Sequence, residues 1–260
     1  MRFIFDGDLH IHTYLSSCSR DPDETPERLL EYARDNCLSD LCVTDHFWDD
    51  KVAGASDWYK SQNYEHIASL LPLPKADGVR FMFGCETELD RNLTLGISRE
   101  SFDLFDFVII PTTHLHMGGF TCRGDEDAAE RAELWKNRFD WLLEQDLPFE
   151  KIGVAHLTCP LIWSGRYVDV LRLISDDDYS RLFRKAADRG IGIELNFDAP
   201  DFGSNNDEVF RPYRIAKVEG CRFYFGSDAH HPKKLDEMKP LAEAIIDRLS
   251  LEESDKFRPR

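Results

Sequence analysis

Short apolar or β-branched runs alternate along the chain with longer stretches of helical periodicity. Seven runs read as strands: Phe3–His10, Leu41–His46, Arg80–Glu88, Phe107–His114, Lys151–His156, Gly190–Phe197 and Arg222–His230. Between the first two, Pro26–Asn36 reads as a helix. Thr25 is placed to cap it, Pro26 takes the first helical position, and Leu29, Leu30, Ala33 and Cys37 share one face. Glu126–Glu144 carries the same period through Ala132, Trp135, Phe139 and Leu142. The last helix carries it through Leu241, Ala242, Ile245, Ile246 and Leu249, with Pro240 expected to open its first turn. This alternation is the pattern of parallel β/α units.

The segments that follow strands are long (Phe47–Ser61, Leu115–Asp125, Leu157–Asp177, Asp198–Asn206), whereas those returning to strands are short, as at Arg189–Gly190 and Glu219–Cys221. In β/α barrels the long loops build the active face, so chemistry is expected at the carboxyl ends of the strands. No internal repeat or low-complexity linker divides the 260 residues. One α/β domain spanning residues 1–260 is the simplest account, with the polar end, 250–260, expected as a loose tail.

Composition narrows the function classes. With 49 acidic against 32 basic residues the formal charge is -17, which repels long nucleic acid and anionic lipid. The first apolar run is broken by Asp6 and Asp8, unlike a signal peptide, and nowhere do eighteen apolar residues follow one another. A cytoplasmic protein without membrane association is expected. Seven cysteines, an odd number with no C-x-x-C pair, indicate neither a disulfide framework nor a zinc ribbon. Oligomeric state is left open.

The histidines carry the strongest signal. Eight of the nine, all but His66, fall at or just beyond the ends of the seven runs. Histidines that fill a core or decorate a surface scatter, so this clustering points to a shared site. In His10-x-His12, residues two apart in an extended segment point the same way and can face one metal. Asp228-x-His230 repeats that spacing at the last run, and Glu86 supplies a carboxylate at the third. A carboxylate can bridge two cations, which a neutral imidazole cannot.

Taken in order, Asp8–Leu9–His10–Ile11–His12–Thr13, Thr44–Asp45–His46, Gly84–Cys85–Glu86, Thr113–His114, Ala155–His156 and Gly226–Ser227–Asp228–Ala229–His230 resemble the polymerase and histidinol phosphatase (PHP) family across nearly the whole chain. The resemblance implies a distorted (β/α)7 TIM-like barrel holding two to three divalent transition metals, zinc, manganese or iron. It assigns one metal to His10, His12, Glu86 and Asp228, a second to Glu86, His114 and His156, and a third to His46 and His230. The family often places His or Asp six residues after the second histidine of the first motif; here that residue is Cys18. Cys18 is either a thiolate ligand completing the third site or a small buried hydrophobe. His116 and His231, beside stronger ligand candidates, are expected to face substrate or to support the ligands, and Asp45 to orient its neighbour His46.

Two metals sharing a carboxylate lower the pKa of a bridging water and neutralise an attacked phosphoryl group, so hydrolysis of a small phosphate monoester is the expected reaction. Asp45 and His116 are the candidate proton donors. Arg123, Arg166 and Lys233 are the cations placed to bind phosphate. Phe47, Trp48, Trp58 and Tyr59, with Trp163 and Tyr167, could wall a pocket. Histidinol phosphate is a specific candidate through the resemblance. C–N bond hydrolysis, oligonucleotide phosphodiester cleavage and a catalytically silent metal-bound scaffold are the alternatives.

Overall fold

In a parallel sheet covered on both faces, strands become near-continuous apolar runs. The computed structural model, which describes residues 1–19, 21–196 and 207–260, turns each of the seven runs into such a strand. They are β1 (Gly7–Ile11), β2 (Asp40–Val43), β3 (Arg80–Glu86), β4 (Phe107–Pro111), β5 (Ile152–Ala155), β6 (Gly192–Leu195) and β7 (Arg222–Phe225). All pairings are parallel and follow sequence order. Where β1 ends and the chain leaves β7, Asp228 N–H donates to the His10 carbonyl at 2.7 Å and His12 N–H to the Ala229 carbonyl at 3.0 Å. The result is one domain, a nearly closed TIM-like barrel.

The described helices are α1 (Pro26–Asp35), α2 (Tyr64–Ile67), α3 (Ala128–Glu144), α4 (Tyr167–Leu173), α5 (Asp176–Arg189), α6 (Asp207–Val218) and α7 (Pro232–Leu249). Thr25 caps α1 through Arg28 N–H, as its sequence indicates, and Asp127 and Glu130 form a capping box on α3. No described helix is long and apolar enough to cross a membrane.

Side chains alternate across β4. Phe107 and Ile109 join Leu9, Met82, Tyr224 and Phe257 in the barrel interior, while Val108 and Ile110 pack outward beneath the helices. Glycines make room inside: a Cβ on Gly153 would lie 2.6 Å from the Phe107 ring, and one on Gly192 2.7 Å from Phe257.

Three expectations need correction. The tail is not loose. Phe257 is buried at the amino end of the barrel, its N–H bonded to the Phe223 carbonyl at 2.8 Å, and Lys256 and Arg258 reach Asp6 and Asp40. Its ring fills the end of the barrel interior against Phe107 and Tyr224. The last helix begins at Pro232, with His231 as its cap, and Pro240 lies inside it. Burial of Leu235 and Met238 extends that helix by two turns and offsets the hydrogen bond that Pro240 cannot make. Finally, the strands stop short of most of the histidines, which sit on the turns just beyond. Phe197 and Asp198–Asn206 lie outside the described residues.

Candidate metal centre

The turns after the strands aim their side chains inward by unusual backbone geometry. His156 and Asp228 take left-handed conformations, φ 63° and 50°, so Asp228 and His230 do not share the extended spacing their sequence suggests. Such a conformation in a non-glycine residue costs about 1 kcal/mol or more, and is kept where a side chain must be aimed. Asp8, buried one step below His10, accepts from the His10 and Ser227 N–H groups at 3.4 and 3.0 Å. It thereby ties β1 to the segment that carries Asp228.

Glu86, at the end of β3, is the hub. Its Oε2 faces His46 Nδ1 at 3.0 Å, His12 Nε2 at 3.4 Å and His10 Nε2 at 3.6 Å. Its Oε1 faces His156 Nε2 at 3.3 Å and His114 Nε2 at 3.7 Å. Asp228 divides similarly, Oδ1 lying 3.1 Å from His12 Nε2 and Oδ2 3.8 Å from His156 Nε2.

Buried residues behind the cluster fix which ring nitrogen offers its lone pair. Glu194 on β6 holds His10 Nδ1 at 2.5 Å and accepts the His156 N–H at 3.2 Å. Glu88 holds His114 Nδ1 at 2.8 Å. Ser16 gives its hydroxyl proton to Asp45 at 2.6 Å and so accepts from His12 Nδ1 at 2.9 Å. His230 Nδ1 donates to the Asp228 carbonyl at 2.9 Å. In each case Nε2 is left as a lone pair directed into the cluster.

Lone pairs converging on carboxylate oxygens repel unless a cation lies between them. Both Glu86 oxygens, His114 Nε2 and His46 Nδ1 are buried without a hydrogen-bond partner, as atoms awaiting coordination are. With metal–ligand bonds near 2.1 Å, neighbouring ligand atoms stand about 3.0 to 3.4 Å apart in octahedral or tetrahedral geometry. The separations here, 3.0 to 3.8 Å, bracket that edge. The donor set therefore fits divalent metals. Its groups are His10, His12 and Glu86; Glu86, His114 and His156; His12, Cys18, His46 and His230; and His10, His156 and Glu194, the last meeting at the Nδ1 side of the two rings.

The electrostatics agree. Burial opposes charge on His10, yet Glu194, Glu86 and Asp228 outweigh it and push that imidazole up to about 10. Burial also opposes ionisation of Glu86, but His46 and His10 hold it well below the usual carboxylate range. The buried carboxylates demand positive charge, and a cation among the Nε2 atoms satisfies that demand. Cys18 lines the cavity with an exposed surface, yet partial desolvation and the charges of Glu86 and Asp228 push its thiol up, which opposes a thiolate unless a cation is bound beside it. The thiol sits 2.9 Å from His230 Nε2.

The remaining sequence candidates divide. Asp45 is buried away from the cavity with both oxygens engaged by Thr13 and Ser16, so it supports His12 and cannot deliver a proton to substrate. His116 does line the cavity, and burial with the neighbouring His114 pushes it down to about 4. His231 turns outward to Asp21 at 2.7 Å. Arg123 pairs with Asp125 and Glu130, Arg166 pairs with Asp169 and stacks on Trp163, and Lys233 is exposed on α7. None of these three cations lines the cavity. Of the aromatics, Trp58 and Tyr59 line it, whereas Phe47, Trp48, Trp163 and Tyr167 pack outside it. The cavity, about 520 Å³, opens above Glu86 and Asp228.

Sequence reasoning missed Glu194, Glu88, Ser16 and Asp8. The signal for Glu194 was present, because a carboxylate between Ile193 and Leu195 in a fully buried strand requires a partner.

No protein-family model matches the chain, and no curated protein matches it significantly. Among solved structures, the chain is similar to histidinol phosphate phosphatase from Lactococcus lactis subsp. lactis Il1403, determined with zinc, L-histidinol and phosphate. The TM-score is 0.60 at 16% identity over 98% of this chain and 99% of that one. At that identity the likeness establishes a shared barrel fold along the whole chain.

Proposed function

We propose that the protein is a metal-dependent hydrolase that cleaves a small phosphate monoester. The observation that carries this reading is Glu86, whose two oxygens face two different sets of imidazole lone pairs, the arrangement of a carboxylate shared by two cations. His10, His12, Glu86 and Asp228 would hold one metal, and Glu86, His114 and His156 a second. His46, His230 and Cys18, beside His12, would hold a third, where the soft thiolate favours zinc over manganese or iron.

Bound there, divalent cations neutralise phosphoryl charge and make a water nucleophilic near neutral pH. The chain's own residues hold the cations, orient them through Glu194, Glu88 and Ser16, and limit water access with the cavity wall. His116 lines the cavity and is the residue nearest to hand at the leaving oxygen; because desolvation and the neighbouring His114 keep its ring neutral, the proton taken up by the departing alkoxide comes from water and not from an imidazolium. No Lys or Arg among the described residues lines the cavity, so cations held by the cluster would supply the charge that receives a phosphate. The zinc-bound phosphatase of the same fold supports this chemistry, and seven unpaired thiols support a reducing, cytoplasmic setting.

The test is to count metals by plasma mass spectrometry in protein purified without chelator, and to assay phosphate release from a monoester panel beside Glu86→Ala. Two or three metals per chain, with release abolished in the variant, is the expected result. Bound metals without release from any ester would move the reading to C–N hydrolysis or a silent scaffold.

A further inference from the structure

The cavity has two unlike halves. Its floor is the cluster itself. Among the described residues its wall is Trp58, Tyr59, Met117, Phe120 and Leu161, with Ser56 and His116 the polar side chains beside them, apart from the Trp58 indole N–H and the Tyr59 hydroxyl. That hydroxyl is turned to Glu88, 3.5 Å away, leaving its ring to the wall. Trp58 stands edge-on to His46 at 4.9 Å and perpendicular to Tyr59 at 4.7 Å, and Tyr59 reaches Phe120 at 5.6 Å. Three rings in successive contact thus stand beside the metal cluster, with Trp58 both nearest His46 and the most exposed. Trp58 remains 39% exposed although neighbouring Tyr59 is buried, so an indole face is left for an occupant to cover.

A phosphate seated on the floor must send its ester oxygen, and whatever that oxygen carries, along this wall. Among the described residues a multiply hydroxylated chain would find few partners to replace its lost water, since Glu86 and Asp228 belong to the floor, and a primary ammonium would regain by cation–π contact only part of its hydration. A purine would likewise find stacking but few groups for its polar edge. An uncharged ring on a short linker would gain stacking and burial together. We infer that the site takes phosphate monoesters whose alcohol carries an uncharged aromatic ring, and that Trp58 and Phe120 set this preference. The inference rests on the phosphatase reading for turnover, but not for binding.

The experiment uses metal-loaded protein and two readouts. By calorimetry, 2-phenylethylphosphonate, which cannot be hydrolysed, is compared with ethylphosphonate. In turnover, kcat/KM is compared for 2-phenylethyl phosphate, ethyl phosphate, histidinol phosphate and adenosine 5′-monophosphate, the aliphatic esters having leaving groups of comparable acidity. The phenyl compounds are expected to be favoured over the ethyl ones roughly tenfold or more in both readouts. Trp58→Ala and Phe120→Leu should each shrink that ratio at least threefold; Trp58 is exposed enough that its removal leaves the fold intact. A phenyl-to-ethyl ratio below about threefold, or a preference for histidinol phosphate or the nucleotide, would overturn the inference. Selective phosphonate binding without hydrolysis of any ester would uphold the ring site and sink the phosphatase reading instead.

Discussion

Glu194→Gln tests whether the residues behind the cluster, rather than the ligands alone, make it a metal site. The Glu194 side chain is fully buried and serves two donors, His10 Nδ1–H at 2.5 Å and the His156 N–H at 3.2 Å. Glutamine has nearly the same shape but one acceptor oxygen. If that oxygen turns to His10, the amide NH2 meets the His156 N–H. If it turns to His156, the NH2 meets His10 Nδ1, and His10 must move its proton to Nε2, removing the lone pair that faces Glu86 and Asp228. Either way one hydrogen bond to a charged group is lost, about 1.5 to 3 kcal/mol. Loss of a partner that orients a ligating imidazole typically weakens metal binding about 10- to 100-fold, or about 1.4 to 2.7 kcal/mol, so the two routes agree. The assay is metal affinity and stoichiometry by competition with a chromogenic chelator, with circular dichroism as the check on folding. The expected result is one metal per chain weakened by that factor while the others hold. A folded variant whose metals all bind within about threefold of the parent would refute the reasoning.

Phe257→Ala should destabilise the barrel by about 3 to 5 kcal/mol in urea unfolding while leaving metal stoichiometry unchanged, because the ring fills the end of the barrel opposite the cluster. A cost below about 1 kcal/mol would mean that the tail only rests there. Glu24 is buried without a hydrogen-bond partner, and burial, with the charge of Asp21 adding, pushes its carboxyl up to about 7 from 4.5. The folded state keeps a proton that the unfolded chain has released, so the stability present below pH 4.5 is lost as pH rises through that window toward 7. Glu24→Gln should therefore melt above the parent at pH 8, with the gap shrinking toward pH 4.5; a gap constant across that range would contradict the assignment. For Cys18, cobalt-loaded protein is expected to show a thiolate-to-metal absorption band in the near ultraviolet that Cys18→Ser abolishes, and equal spectra would remove Cys18 from the ligands.

The parts legible in the sequence are those where local chemistry and tertiary demand coincide. Parallel strands buried on both faces need apolar runs such as Phe107–Pro111, and those runs could be read directly. Residue types able to bind a metal are few and sit where strands deliver them, so the clustering of His10, His12, Glu86, His114 and His156 could be anticipated before its geometry was known. The misses share another cause. Arg123 and Arg166 lie on the active-face loops, but loop position does not say which way a side chain points, and Asp125, Glu130 and Asp169 claim them first. Phe257 looked like one apolar residue in a polar tail because the space it fills is created by seven strands, none of them nearby in sequence.

Glu194 marks the boundary between the two cases. A carboxylate in the buried strand Gly192–Leu195 cannot be a packing residue, since several kcal/mol of desolvation must be offset by partners. Its partners are His10 and His156, each of which turns its other nitrogen toward Glu86, so the charge on β6 is balanced only through the cluster in the barrel mouth. Gly226 shows how closely this is built: a Cβ there would stand 2.5 Å from the His10 Cβ and against the Glu194 carboxylate. The glycine of Gly226–Ser227–Asp228 thus serves two purposes, leading the chain into the turn that aims Asp228 and leaving the space in which Glu194 orients His10. A substitution there would disturb two members of the cluster, His10 and Asp228, at once without replacing either.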